Sequence, residues 1–341
     1  MSRFIKSLSV LLPIFLVAPA LQAQDCDRAC LENWVDRYLD AVIANDPSAI
    51  PLTEDIRFTE DGQRLALRDG LWQTMVGKGN YRLFVADEKA QQVAFIGNIF
   101  EEHRDPSMQT PALLALRLRI SGNAISEIEQ MVVRSANSAE RFADLTLRPA
   151  FTASVPESRK MNRRELLETA NMYFTGMQQN TGLDDYPFAE DCDRLENGMQ
   201  TTNVPTPPGE TRPDPSDSVN YSIQWSCREQ YESGLLFFVN RIRDRRFVAV
   251  DEERGLVMAF GFFDHSGGEF RHGETPNGRE VTAGPVQPWT WMIAEVFKVH
   301  SGLLHEVEAI LHRVPYGMNS GWSTWEQGMS DELQDVTFSD E

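Results

Sequence analysis

The chain carries none of the short signatures that announce the commoner enzyme chemistries. It has no Gly-x-Ser-x-Gly elbow to raise a nucleophilic serine, and no glycine-rich loop of the dinucleotide or P-loop type to cradle phosphates. It also has no His-Glu-x-x-His pair to hold a catalytic zinc. Serine and cysteine hydrolases, NTP enzymes and dinucleotide enzymes are therefore disfavoured. Cationic residues are scarce, with 32 Lys and Arg against 51 Asp and Glu, a formal charge of −19. Phosphate contacts need a basic patch, so nucleic acid and anionic membrane surfaces are poor partners. Cysteines number only four and no Cys-x-x-Cys occurs, which argues against a zinc site. The six histidines, at 103, 265, 272, 300, 305 and 312, show no diagnostic metal spacing, and nothing calls for a cofactor.

Long apolar runs are confined to one place. Arg3 and Lys6 precede LSVLLPIFLVAPAL, which is broken by Pro13 and Pro19 and ends near a small residue at position 23. This is the composition of a secretory signal peptide over residues 1–23, too short for a good membrane span. Its removal makes the charge two units more negative. A periplasmic or secreted protein follows, with no membrane association after cleavage. Four cysteines suit such an oxidising setting. Three pairings are open. Cys192 with Cys227 is the favoured one, pinning a Pro-rich segment between them, while Cys26 and Cys30 stand four apart at a helix start.

What the chain does have is repetition. PLTEDIRFTEDG at 51–62 and PFAEDCDRLENG at 187–198 match at Pro, Glu, Asp, Glu and Gly. Before the first lies an amphipathic helix with Leu31, Trp34, Val35, Tyr38, Leu39, Val42 and Ile43 on one face. Before the second, Leu166, Ala170, Tyr173, Phe174 and Met177 repeat the pattern. After each come paired strands, NYRLFVADEKAQQVAFIGNIFEE beside IRDRRFVAVDEERGLVMAFGFFDHSG. A long hairpin follows each of those, turning at Ser-Gly (121–122 and 301–302). The expectation is α+β written twice: a long helix at the start of each unit, and a curved antiparallel sheet wrapped around it.

Helix, acidic Pro-x-x-Glu-Asp segment and strand–Ser-Gly–strand ending together resemble the nuclear transport factor 2-like (SnoaL-like, ketosteroid-isomerase-like) superfamily. The pieces Cys-x-Arg-Leu-Glu-x-Gly at 192–198 and Arg-Arg-Phe-x-x-x-Asp-Glu at 245–252 look like an exported, largely uncharacterised two-copy group. The resemblance implies two cystatin-like cones, at 24–136 and 161–316, joined by a linker at 137–160 and followed by an acidic tail at 317–341. It also implies that the two domains pair within one chain through their sheets. Reaction type does not follow, because that fold hosts isomerases, dehydratases, other lyases and plain binding proteins.

The copies differ, and the differences nominate a site. Alternation puts Trp289, Trp291, Ile293, Glu295, Phe297 and Val299 on one strand face, with Glu295 where the first copy has Leu116. A carboxyl on an apolar face is held towards its neutral form, as acid–base work requires; the bland reading is a pairing with a structural Arg. Glu308 becomes a candidate because the resemblance places catalytic groups on the last strand, and His312 shares its face. Asp264 stands at a strand end beside His265. Trp289, Trp291, Phe297 and Tyr173 would contact the ligand, with the first copy acting as scaffold. The reading is a cofactor-independent isomerase, dehydratase or other lyase acting on a small hydrophobic or aromatic molecule. Its alternative is a periplasmic small-molecule binding or interaction protein without chemistry.

Overall fold

A computed structural model of the chain describes residues 25–337, so the expected signal segment at 1–23 lies outside the described residues. The architecture is α+β. A six-stranded sheet runs in the order Gln63–Arg64, Leu52–Glu60, Ala124–Val133, Gln109–Ser121, Gln92–Glu102, Met75–Asp87. A seven-stranded sheet repeats it as Met199–Gln200, Phe188–Glu196, Leu303–Val314, Trp289–His300, Leu256–His265, Arg241–Asp251, and adds Leu333–Asp335 at its edge. Among the described residues no helix is long and apolar enough to cross a membrane.

Each sheet is covered on one face by the helix that precedes it. Arg28–Ile43 starts at Asp27, whose side chain accepts from the Cys30 amide, and buries Leu31, Trp34, Val35, Tyr38, Leu39 and Val42. These meet Leu114, Leu116 and Leu118 of the sheet. Arg163–Met177 opens with a reciprocal Asn162–Glu165 capping box and buries Leu166, Ala170, Tyr173, Phe174 and Met177. Each fully buried aliphatic or aromatic side chain contributes about 1.5–3 kcal/mol, an upper bound, so the helix face holds each unit together.

Two expectations need correction. Neither sheet is wholly antiparallel. Leu52–Glu60 pairs parallel with Ala124–Val133, and Phe188–Glu196 pairs parallel with Leu303–Val314. The first strand of each unit reaches the sheet edge directly from its helix, whereas the last arrives through consecutive hairpins, and the two end up pointing the same way. The hairpin turns also differ by one residue. Ser121 pairs with Ala124 across Gly122 and Asn123, whereas His300 pairs with Leu303 across Ser301 and Gly302. All four turn residues have positive φ, the mirror-image turn geometry that suits a twisted hairpin. That slip puts Leu116 level with Glu295 and Glu129 level with Glu308.

The uncovered faces of the two sheets meet. One apolar cluster joins Leu83, Val85, Ile96, Leu113, Ala115 and Met131 to Met258, Phe260, Phe262, Met292, Val296 and Ile310. Polar links around it are reciprocal. Arg28, at the start of the first helix, pairs with Asp251, and Arg163, at the start of the second, pairs with Asp87 at the equivalent strand end. Arg246 grips Glu129 with both nitrogens, Nη1 to Oε2 at 2.8 Å and Nη2 to Oε1 at 2.7 Å. Such reciprocity is what a two-fold pairing of like surfaces produces.

Residues 317–337, expected as a tail, are folded in. They supply the helix Trp325–Met329 and the edge strand Leu333–Asp335, paired parallel with Arg241–Asp251. Both disulfides are formed, Cys26–Cys30 and Cys192–Cys227. The second closes a loop across a sequence separation of 35. Replacing both its cysteines by serine should lower stability by roughly 2–5 kcal/mol, read from urea unfolding under non-reducing conditions. An unchanged midpoint would show that the loop is held by other contacts.

Candidate functional site

Between the second sheet and its helix lies a cavity of about 110 Å³, floored by Glu295 and Ile293 and walled by Tyr173, Phe263, Trp291 and Leu311. Its charged lining comes from the first strand of the unit, Phe188–Glu196, which contributes Arg194 and Glu196. Strand register explains why these meet. Glu295 lies opposite Ala309, and Ala309 opposite Glu196, so the two glutamates stand in one row two strands apart. At the usual strand spacing that is about 10 Å between their backbones.

Glu295 is 1% exposed. Burial is the main cause that lifts its pKa to about 8; the charge of Glu196 adds to the rise, while Arg194 and a hydrogen bond with Tyr173 oppose it. Its Oε2 has no hydrogen-bond partner among the described residues. At neutral pH this carboxyl is mostly protonated, a proton donor facing a cavity. Arg194 is also buried, with Nη1 donating to Gln230 Oε1 at 2.9 Å, Nη2 donating to Glu196, and its guanidinium 5.7 Å from the Tyr173 ring centre. Its Nε lacks a hydrogen-bond acceptor among the described residues. The Pro-rich segment bounded by the second disulfide supplies Tyr221, which lines the same cavity and whose hydroxyl is pushed up by burial.

His265 marks the other end. It sits six residues beyond Ala259, the strand partner of Glu295, or about 20 Å of strand. Its Nδ1 lies 3.0 Å from the Phe263 carbonyl, which can only accept, so Nδ1 carries hydrogen and Nε2 a free lone pair. Burial lowers its pKa to about 4, and the ring stacks on Trp289 at 4.1 Å. Trp289 in turn meets Trp291 edge-on at 4.6 Å. This end is an aromatic rim with a neutral acceptor.

The sequence-derived candidates separate into two groups. Glu295, Trp291 and Tyr173 line the cavity, Trp289 stacks at its rim, and Phe297 lies fully buried beneath, 5.2 Å from the Tyr173 ring. Glu308, His312 and Asp264 lie on the opposite face, because side chains alternate and Glu295 is level with Ala309 rather than with its neighbours. Glu308 is buried against the first sheet, beside Arg148 Nη2 at 3.4 Å and close to Tyr81. Burial raises its pKa, yet it occupies the place of Glu129, an interface group. His312 faces Asp61 of the first unit with Nε2 3.6 Å from Oδ1, and burial lowers its pKa. Asp264 is wholly enclosed by Arg241, Arg243 and Thr290, with Thr290 Oγ1 donating at 2.6 Å. Glu308 and His312 thus belong to the packing between the units, and Asp264 to an ion-pair cluster within the second sheet.

The sequence nominates neither Arg194 nor Glu196, and names His265 only as the neighbour of Asp264. Arg194 and Glu196 lie inside the Cys-x-Arg-Leu-Glu-x-Gly piece, and alternation along that strand places both on the face of Cys192. In the first copy, Phe58 and Glu60 occupy the two positions. Glu60 there is saturated by the Leu71 amide, Gln130 and Arg134. Leu116 stands where the second copy has Glu295, so the unpartnered pocket carboxyl belongs to the second copy. No group of three or more His, Cys, Asp or Glu among the described residues is placed to hold a metal ion.

Residues 24–132 and 159–311 match the model of a family described as "Domain of unknown function (DUF8021)", one segment for each sheet-and-helix unit. No curated protein matches the chain. Among solved structures, a putative hydroxylase, AclR, from Streptomyces galilaeus is 15% identical with a TM-score of 0.28, covering 39% of this chain and 92% of that one. That likeness is too slight to assign chemistry.

Proposed function

We propose that this chain, which belongs to the DUF8021 family, is an exported acid–base enzyme whose second unit works as a cone-shaped pocket of the nuclear transport factor 2-like kind. The observation that carries the reading is Glu295: a buried, protonated carboxyl with an unpartnered oxygen, aimed at a cavity that also holds Arg194 and Glu196. A carboxyl kept neutral by burial beside one ion-paired with arginine lets one pocket supply an acid and a base together. Glu295 donates a proton to a carbonyl or departing oxygen, and Arg194 holds the developing negative charge. Glu196, ion-paired with Arg194, is placed to take a proton from the substrate. The reaction class is isomerisation or elimination, and the pocket asks nothing of a cofactor for either.

Cavity size limits the substrate. Cavities of about 150 Å³ hold a benzene ring, so about 110 Å³ fits a small ring or short chain unless the Tyr221 segment moves. That small volume also favours the second reading, a binding protein for such a molecule. Domain limits of 24–136 and 161–316 follow the same proposal, with the first unit as scaffold.

A thermal-shift screen of small aromatic and carbonyl compounds identifies ligands. Each hit is then incubated with the protein in D2O and followed by NMR. Enzyme action predicts exchange or rearrangement at a carbon next to the carbonyl, slowed about 10²–10⁴-fold in Glu295→Gln. Binding with no exchange, in wild type and variant alike, would leave only the binding reading.

A further inference from the structure

A cluster of four arginines in this acidic chain has no part in the pocket just described. It lies in a cleft of about 520 Å³ between the uncovered face of the first sheet and the folded C-terminal segment. Arg57, Arg117, Arg119 and Arg246 line it, and Trp322 forms part of its wall. Alternation explains the first-sheet contribution: Leu114, Leu116 and Leu118 turn to the helix, which leaves Arg117 and Arg119 on the other face. The C-terminal segment is tied over them. Trp322 Nε1 donates to Thr59 Oγ1 at 2.7 Å, and the Thr337 carbonyl accepts from Arg119 Nη2 at 3.1 Å and Gln92 Nε2 at 2.6 Å. Guanidiniums of Arg57 and Arg117 lie 4.1 and 4.6 Å from the Trp322 ring centre.

Donors outnumber acceptors in this cleft. Each guanidinium has about five N–H groups. Among the described residues Arg57 makes one hydrogen bond, Arg117 three, and Arg119 and Arg246 two each. Arg119 Nε is buried without one, its nearest carboxylate oxygen, Glu127 Oε2, standing 3.5 Å away. Four cations face two lining carboxylates, Glu127 and Asp335. Glu129 and Asp244 lie behind them, engaged with Arg246. The lining is thus positive in a chain whose formal charge is −19.

We propose that this cleft is a second binding site, taking a small organic carboxylate whose planar head is held by Arg57 and Arg119. Planar guanidiniums match a carboxylate edge to edge, giving two parallel hydrogen bonds, whereas a phosphate dianion brings more charge than a cleft containing Glu127 neutralises. Trp322 and Val336 offer apolar surface to the rest of the molecule, and the volume exceeds that of a lone carboxylate several-fold. Arg117 and Arg246 are already committed to Glu129 and provide the fixed positive wall.

Succinate is the probe, titrated calorimetrically into the whole chain without residues 1–23, at constant ionic strength set with sodium chloride. Saturable binding is expected in wild type and, with the same affinity, in Glu295→Gln, which separates this cleft from the pocket of the second unit. Arg57→Ala with Arg119→Ala should weaken it at least tenfold. The paired Arg57→Lys and Arg119→Lys variant, which keeps charge and loses the fork, should weaken it several-fold while unfolding at the wild-type temperature. Absence of saturable heat in wild type would overturn the proposal, as would unchanged affinity in both arginine variants. Inorganic phosphate binding as tightly as succinate would overturn the assignment to carboxylates.

Discussion

At pH 8 the Glu295→Gln protein should be more stable than wild type by about 4 kcal/mol, the integrated effect of a carboxyl whose pKa rises from 4.5 to about 8 on folding. Below pH 4.5 the carboxyl is protonated in both states and costs nothing on this account. Between pH 4.5 and 8 the unfolded chain releases the proton while the native protein retains it, so wild-type stability falls as pH rises. Above pH 8 the loss levels off. Glutamine has nearly the same shape and no proton to lose, so the variant escapes this decline. The groups facing Glu295 are Arg194, Glu196, Tyr173 and Tyr231, all present in both proteins. Both tyrosines are pushed well above 10 by burial and do not titrate in this window.

For a chain of this size, 4 kcal/mol corresponds to a melting temperature higher by on the order of 10 °C. Calorimetric scans of both proteins from pH 4 to 9 should show curves that coincide at the acid end and diverge towards pH 8. Parallel curves across the range would mean that Glu295 is ionised in the native state, and the acid proposed above would be lost with it. Stability gained by removing a group is the usual mark of a side chain kept for function rather than for folding.

Arg246→Ala should act in the other direction, destabilising the protein by about 3–5 kcal/mol. Arg246 and Glu129 are 2% and 1% exposed and bridge the two sheets through a two-pronged pair. Removing one partner leaves a buried carboxylate with only Arg117, whose Nε is 3.3 Å away, and leaves Asp244 short of a neighbour. Arg246→Lys retains the charge without the fork and should cost less. Urea unfolding gives the magnitude, and hydrogen exchange shows where it falls. Strands Ala124–Val133 and Arg241–Asp251 should lose protection together, because the pair joins one to the other. A loss under 1 kcal/mol would show that the apolar cluster alone holds the sheets.

Local patterning determined much of this protein on its own. The two helix faces, the paired strands and the duplication are written as spacings of apolar residues, and each spacing has one secondary structure that buries it. The favoured disulfide was legible too, since Cys192 and Cys227 bound one Pro-rich segment. Alternation also settled the face of Glu295, because Trp291, Ile293 and Phe297 share its parity and must be covered. Applied one strand further, it would have separated Glu308 from Glu295, but that step needs the register between strands. Register depends on where a turn closes, and the Ser-Gly dipeptides close theirs one residue apart, at Gly122–Asn123 and Ser301–Gly302. Tertiary structure alone decided the rest. Arg194 and Glu196 share the pocket of Glu295 because a parallel strand, distant in sequence, joins the last strand of the hairpin. Glu308 and His312 became interface groups because the second sheet buries its other face on the first, and Asp264, on that same face, is enclosed by Arg241, Arg243 and Thr290. A polar residue on a strand faces one of two sides, and only the packing of a second layer determines which of them is a pocket.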